Sequence, residues 1–367
     1  MRVKLSDVTK YLKGTQINGD DLIENGEYIY LNGGINPSGR WNAANVKGNT
    51  VTISEGGNSS GYVNYVTEPF WCGAHCYYLF DGPKNTRYLY YALKSQQERL
   101  FDIRSGACMP NIKKADLGKF EFEFDTDEQK QSKIVSVLSK IEVVIGERKR
   151  ELELLDELIK ARFVEMFGDP IENPYDWPVD NLTNLGECKN GMNFHTDDSG
   201  VEIHCLGVGD FKDLSLIEDT SKLPTISLNE MPSDDYLLTN GDIVFVRSNG
   251  NKALVGRSVV VYPDNIPTTF SGFCIRFRIK NPDILSSYLL RVLKTDSMRK
   301  KMAGRGANIQ NLNQKILATL RVPIPALVLQ EEFEVFVKKV DKSKLIIQKA
   351  LNETQLLFES LLQEYFK

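Results

Sequence analysis

The chain has 367 residues, 41% of them hydrophobic and 26% charged, with a formal net charge of −4. That length exceeds one ordinary core and fits two or more domains. The composition is that of a globular protein, and no run approaches the roughly 18 apolar residues of a membrane span, so a membrane-spanning helix is excluded and a soluble chain is expected. The six cysteines show no framework spacing, which excludes a disulfide scaffold. The start, Met1 to Asp7, lacks an apolar leader, and a cytoplasmic protein is expected.

Residues 1–87 carry short runs of Val, Ile, Phe and Tyr, such as Asn49 to Ile53, broken by Gly, Pro, Asn and Ser; this predicts a β-rich domain with many loops. One polar loop, Gly34 to Asn45, holds Asn36, Ser38, Arg40, Asn42 and Asn45. Trp41 and Trp71 read equally well as core residues. Cys72, His75 and Cys76 lie close together, but a zinc site needs four ligands and the sequence offers no second group, so buried thiols and no metal are expected.

A long helix follows, with its seam at Ile134, Leu138, Ile141, Ile145, Arg148, Leu152, Leu155, Ile159, Arg162 and Met166. The three prolines in Phe167 to Pro178 predict a helix stop and linker. A second β-rich stretch, about 177–286, contains Asp242 to Val246, Leu254 to Val261 and Phe273 to Ile279. Within it, Arg247, Ser248, Asn249, Asn251 and Lys252 form a polar loop directly after a strand, and Arg257 follows. A second long helix has its seam at Phe333, Val337, Val340, Lys344, Ile347, Leu351, Thr354, Phe358, Leu361 and Tyr365, each 199 residues beyond its counterpart.

The chain repeats itself. Tyr88 to Lys94 recurs as Tyr288 to Lys294, an offset of 200 that also relates Arg99 to Arg299, Gly106 to Gly306, Asn111 to Asn311 and Leu117 to Leu317. Two units of about eighty residues follow from this, set between two β-rich segments unlike in sequence. Two matched seams predict that each helix covers the other. Their polar interruptions, Arg148 and Arg162 against Lys344 and Thr354, fall at different heights along the repeat, which predicts a registered pair rather than self-association. The expected fold class is α+β: two β-rich domains and two long helices forming an antiparallel coiled coil, with a pseudo-twofold internal repeat.

Charge is segregated. Residues 121–167 hold twelve acidic and eight basic side chains, whereas 245–305 hold twelve basic and three acidic, enough to face a phosphate backbone. Arg104 and Arg305 flank the repeated glycines in basic stretches, read either as phosphate contacts or as a docking surface for another subunit. Catalytic signatures are missing from the sequence: Asn173-Pro174-Tyr175 lacks the second proline of an adenine-methyltransferase motif, and there is no Walker A loop or HExxH pair.

This order of segments resembles the specificity subunits of type I restriction-modification systems. The carriers are Gly106 to Asn111 and Gly306 to Asn311, Pro323 to Gln330, Met166 to Pro170, Gly241 to Arg247 and Leu254 to Ser258. Glu121 to Asp127 departs from the Pro-Pro-Leu type of run usual in the family, which leaves the start of the first helix open. The resemblance implies target-recognition domains at 1–119 and 169–319 and conserved helical regions at 120–168 and 320–367. It further implies that the chain reads the two halves of a bipartite site in double-stranded DNA. Two methyltransferase subunits, which bind S-adenosylmethionine, and restriction subunits would be its partners; this chain itself would bind no cofactor and catalyse nothing.

Base edges are read by Arg or Lys on guanine and Asn or Gln on adenine, which makes the two polar loops, with Arg104, Arg257 and Arg305, the expected DNA contacts. A helix from Ile134 to Met166 spans about 50 Å, the length of roughly fifteen base pairs. The pair is therefore expected to set the spacer between half-sites, with the recognition domains at its opposite ends. Two other classes stay open: the specificity part of a split restriction-modification enzyme of another type, since no catalytic motif precedes the first recognition domain, and a coiled-coil binding scaffold. Steep salt dependence of DNA binding separates the scaffold from the first reading.

Overall fold

The computed structural model describes residues 1–106, 108–195, 197–211, 214–303 and 311–367. Its contacts divide the chain into unit 1, Met1–Leu152 with Ile346–Lys367, and unit 2, Glu153–Leu345. Each long helix contributes to both.

In the first half, β1 (Arg2–Lys4), α1 (Leu5–Val8), β2 (Lys10–Lys13), β3 (Tyr28–Leu31), β4 (Gly39–Trp41), β5 (Thr50–Ser54), β6 (Val63–Val66), β7 (Trp71–Cys72) and β8 (Cys76–Phe80) precede α2 (Thr86–Lys94), α3 (Gln97–Asp102), α4 (Lys114–Gly118), β9 (Glu121–Glu123) and the long helix α5 (Glu128–Phe167). The second half repeats the plan. It runs β10 (Val179–Asn181), α6 (Leu182–Leu185), β11 (Gly186–Asn190), β12 (Val201–Leu206), β13 (Leu216–Ile217), β14 (Thr225–Leu228), β15 (Asp242–Val246), β16 (Ser258–Val261), β17 (Thr268–Phe270) and β18 (Cys274–Ile279), then α7 (Ser286–Lys294), α8 (Asp296–Ala303), α9 (Gln314–Leu317), β19 (Arg321–Pro323) and α10 (Leu327–Tyr365).

The sheets correspond one to one, except that unit 2 adds β13, parallel to β16, at the edge of its largest sheet. Unit 1 has β2-β8-β5-β6, β4-β3-β7 and β1-β9; unit 2 has β11-β18-β15-β16-β13, β14-β12-β17 and β10-β19. In the middle sheet of each set one pair is parallel, β3 with β7 and β12 with β17. The closing bonds match as well: Leu5 N donates to Phe120 O at 2.9 Å, and Leu182 N to Leu320 O at 2.9 Å. The two β-rich segments, unlike in sequence, therefore share a topology, and the duplication runs through the whole unit rather than about eighty residues of it.

The stretches just ahead of the long helices are strands. Glu121-Phe122-Glu123 alternates polar and apolar, buries Phe122 and pairs with β1, so α5 begins at Glu128 and not near 120. Asp127 caps it, its carboxylate accepting from Gln129 N at 2.9 Å and Lys130 N at 3.2 Å. At the far end Gly168 has φ +75°, the left-handed conformation that closes a helix, and a Cβ there would meet Pro174.

Every position of both seams is buried or half-buried. In unit 1, Ile134 and Leu138 of α5 join Leu362 and Phe366 in one core with Leu89 and Leu93 of α2 and Val51 and Ile53 of β5. In unit 2, Ile159, Phe163 and Phe167 join Phe333, Val337 and Val340 beside Tyr288 and Leu289 of α7. In both units the start of one helix lies against the end of the other, so the pair is antiparallel. That direction brings together two of the polar interruptions: the Arg148 guanidinium donates to Ala350 O and to the Thr354 hydroxyl. Along the repeat they stand at different heights; in the antiparallel pair they meet. Lys344 pairs with Asp156 at 2.6 Å.

Candidate nucleic-acid interface

In unit 1 the loop Glu55–Ser60 leaves β5 and is pinned on both sides. Glu55 N donates to His75 O at 2.8 Å, Ile112 N donates to Glu55 O at 2.9 Å, and Gly57 N donates to Pro110 O at 2.9 Å. Ser59 Oγ reaches Gly33 O at 2.6 Å. Three connections (the one after β3, the Glu55 loop and the β7–β8 turn) therefore gather at one end of the sheets, together with Ser105 and Pro110–Ile112.

Unit 2 makes the same bonds with other side chains. Arg247 N donates to Phe273 O at 2.8 Å, and Leu312 N donates to Arg247 O at 2.9 Å. The loop closes alike, with Gly61 N on Ser54 O and Gly256 N on Val246 O, both at 2.8 Å, and both glycines at positive φ, +87° and +78°. Glu55 thus stands where unit 2 has Arg247, His75 where it has Phe273, and Tyr62 where it has Arg257. Sequence reasoning misses Glu55–Ser60 and Gly73–His75. A signal exists, since Glu55-Gly-Gly-Asn-Ser-Ser60 is another Gly, Asn and Ser loop directly after a strand.

The residues expected from sequence fall into different roles. Asn36 and Ser38 are exposed, with no side-chain partner among the described residues. Arg40, also exposed, donates to Gly26 O at 2.5 Å and Glu27 O at 2.8 Å. Asn42 accepts from Glu27 N at 3.3 Å, and Asn45 pairs doubly with the Cys72 backbone at 3.0 and 2.7 Å. The last three spend their polar atoms on the fold. Arg104 is exposed, bonded to Phe101 O at 2.7 Å and laid over the Phe101 ring. Arg247 and Ser248 are half-buried, Arg247 reaching Gly272 O at 3.4 Å. Asn249 and Asn251 turn the loop by accepting from Asn251 N at 2.7 Å and Ala253 N at 3.1 Å, and Lys252 is exposed. Arg257 is half-buried. Arg305 lies outside the described residues. Trp41 and Trp71 are half-buried and meet edge to face.

Charge here is less available than the sequence count implies. Arg276 is 1% exposed, and Arg278 forks onto the buried Asp242 at 2.9 and 2.8 Å. Lys294 donates to Leu214 O at 3.1 Å and Ser215 Oγ at 2.7 Å; burial, then the neighbouring Arg291 charge, pushes its ammonium down to about 7. At the unit 1 tip burial opposes ionisation of Glu55, but hydrogen bonds from Lys13 and His75, at 2.7 and 3.2 Å, outweigh it and hold the carboxyl below its usual range. Cys72 and Cys76 are buried thiols, and the neighbouring Cys76 sulfur together with burial raises Cys72 far above the usual thiol range. The described residues contain no His, Cys, Asp and Glu cluster able to hold a metal ion, and no helix among them is long and apolar enough to cross a membrane.

Known proteins share this architecture. A putative type I specificity subunit of Mycoplasma genitalium is 35% identical over 149 residues, 40% of this chain and 38% of that protein. One from Mycoplasma pneumoniae is 30% identical over 195 residues, 52% of each chain. The chain thus matches about half or less of the length of these two relatives. The StySPI specificity subunit of Salmonella potsdam is 25% identical over 329 residues, 82% of this chain and 69% of that one. Among solved structures, the type I restriction-modification S subunit of M. genitalium superposes with a TM-score of 0.58 at 22% identity, covering 100% of this chain and 96% of that one. A chain from work on complex assembly and conformational transition of the type I R-M system gives 0.56 at 13%, covering 100% and 97%. These two likenesses concern the fold. The family model for the type I restriction modification DNA specificity domain matches residues 1–154 and 175–355, most of both units, and the chain belongs to that family.

Proposed function

We propose that this chain is the sequence-reading subunit of a type I restriction-modification complex, each unit reading one half of a bipartite site in double-stranded DNA. The observation that carries the reading is the pair of loops on identical backbone bonds, Glu55–Ser60 and the one opened by Arg247, whose length and charge differ while their frame does not. A fixed frame with exchangeable side chains is what reading two different half-sites requires, because base identity is distinguished by side-chain chemistry at the groove edge.

Methyl transfer and cleavage then belong to partners: two methyltransferase subunits holding S-adenosylmethionine, and restriction subunits. The chain itself supplies no reacting group, and the complex acts where the DNA is, in the cytoplasm. Methylome sequencing of the host with and without the gene tests this. The expected outcome is one split motif, methylated in both halves, that disappears on deletion. An unchanged methylome, together with DNA binding insensitive to salt, would leave a scaffold role instead.

A further inference from the structure

We propose that the apex residue of the turn before the last sheet strand, His75 in unit 1 and Phe273 in unit 2, is a specificity-determining DNA contact, His75 meeting a base that offers an amino group and Phe273 the methyl of thymine. The inference rests on the reading of the chain as a DNA-sequence reader and names the atoms that do the reading.

The two residues hold the same place. Gly73 N donates to Leu31 O at 2.8 Å and Ser271 N to Leu206 O at 3.0 Å; Cys76 N then donates to Gly73 O at 3.2 Å and Cys274 N to Ser271 O at 2.8 Å. The frame of each turn is interior, with Cys72 and Cys274 at 0% and Cys76 at 1% exposure, whereas the His75 side chain is 60% exposed and Phe273 62%. The apex can therefore change without disturbing the core, and it has, between an imidazole and a phenyl ring. Each sits beside the loop that differs in charge between the units.

Chemistry separates what they read. His75 Nδ1 lies 3.2 Å from Glu55 Oε2, and Lys13 holds the other carboxylate oxygen at 2.7 Å. With Nδ1 donating to that carboxylate, a neutral imidazole leaves Nε2 as an acceptor, with no partner among the described residues. In the major groove the amino donors are cytosine N4 and adenine N6. Phe273 has no polar atom, and the groove feature an apolar ring fits is the thymine methyl. Glu55 is a positioning residue: it orients the ring and does not itself face the DNA, being only 14% exposed.

The test uses the chain assembled with its methyltransferase subunits in a host with no other DNA methylation. Methylomes are compared for the wild type, His75→Ala, His75→Asn, Glu55→Gln, Phe273→Ala and Phe273→Leu, and each complex is titrated with a duplex carrying the wild-type motif. His75→Ala should relax one position of one half-site and weaken binding about tenfold, with the other half-site unchanged. His75→Asn, whose amide oxygen still accepts, should restore part of it, and Glu55→Gln should give a milder relaxation at the same position. Phe273→Ala should relax a thymine position in the other half-site, and Phe273→Leu should keep it. Wild-type motif and affinity in both alanine variants, or loss of both half-sites together in either, overturns the assignment. A wild-type complex that marks no defined motif instead removes the sequence-reading function on which the assignment stands.

Discussion

At the scale of single residues, one carboxylate fastens the long helix to unit 1. Glu142 lies off the seam of α5, yet it accepts from the Arg87 guanidinium, from Tyr91 OH at 2.6 Å and from Tyr90 OH at 3.3 Å, while Arg87 stacks 4.4 Å over Tyr65. Removing the carboxylate strands the buried Tyr91 hydroxyl and the half-buried Arg87 and Tyr90 donors, so Glu142→Ala should lower the unfolding free energy of unit 1 by roughly 2 kcal/mol; urea unfolding followed by tyrosine fluorescence measures it, and an effect near zero would show a solvent-screened pair. In unit 2 the buried cation of the short helix is Arg291; burial holds its guanidinium below the usual range, and Asp341 and Asp156 counter that only in part. Lys294 carries a pH prediction. Its ammonium titrates near 7 when folded against 10.5 normally. Between those values the unfolded chain binds more protons, so stability rises with pH across this window, and below about 7 the whole penalty applies. Lys294→Met should flatten that rise in unit 2, as read from urea midpoints at about pH 7 and pH 10; an unaltered slope would assign the rise to other groups. None of these partners is readable from sequence, because each joins residues tens of positions apart.

At the scale of elements, the seam separates residues that look alike on paper. Leu138 is fully buried while Val143, five residues on, is 58% exposed. Leu138→Ala should cost roughly 2–5 kcal/mol by cavity formation, and Val143→Ala should change the unfolding free energy by less than about 0.5 kcal/mol; equal effects in chemical denaturation would mean the seam is misplaced. The glycines that close the two loops give a backbone counterpart. Gly61, at φ +87°, would place a Cβ 2.8 Å from Leu100 O, so Gly61→Ala should destabilise unit 1 by about 1 kcal/mol or more, seen as a lower melting temperature. The long helices are legible in the sequence because a four-three period sustained over ten positions fits a packed helix and neither a strand nor a loop. The start of α5 is not: Phe120, Phe122 and Phe124 alternate as a strand, but only the presence of β1 to pair with makes it one. Of the polar loops, Arg247–Lys252 follows a strand as expected, while Gly34–Asn45 is not one loop: Gly39–Trp41 pairs with β3 as a strand, and the polar atoms of Arg40, Asn42 and Asn45 are engaged with Gly26, Glu27 and Cys72.

At the scale of the whole molecule, each long helix contributes to both units. A seven-residue insertion keeps a heptad seam in phase, so on the proposed function matched heptads placed in α5 within 138–159 and in the facing part of α10 should lengthen the spacer of the methylated motif and leave both half-sites as they were. Methylome sequencing of that variant reads the outcome directly, and a constant spacer would refute a measuring role for the helices. By itself the sequence determined that there are two long helices, that they descend from one duplicated element, and that β-rich segments alternate with them, because periodicity, proline stops and a fixed offset are local or linear properties of a chain. The tertiary structure alone decided that the β-rich segments are copies of one fold and that Glu55 and Arg247, or His75 and Phe273, occupy one position. Backbone hydrogen bonds hold that equivalence, and they persist after the side chains that would reveal it in sequence have been replaced.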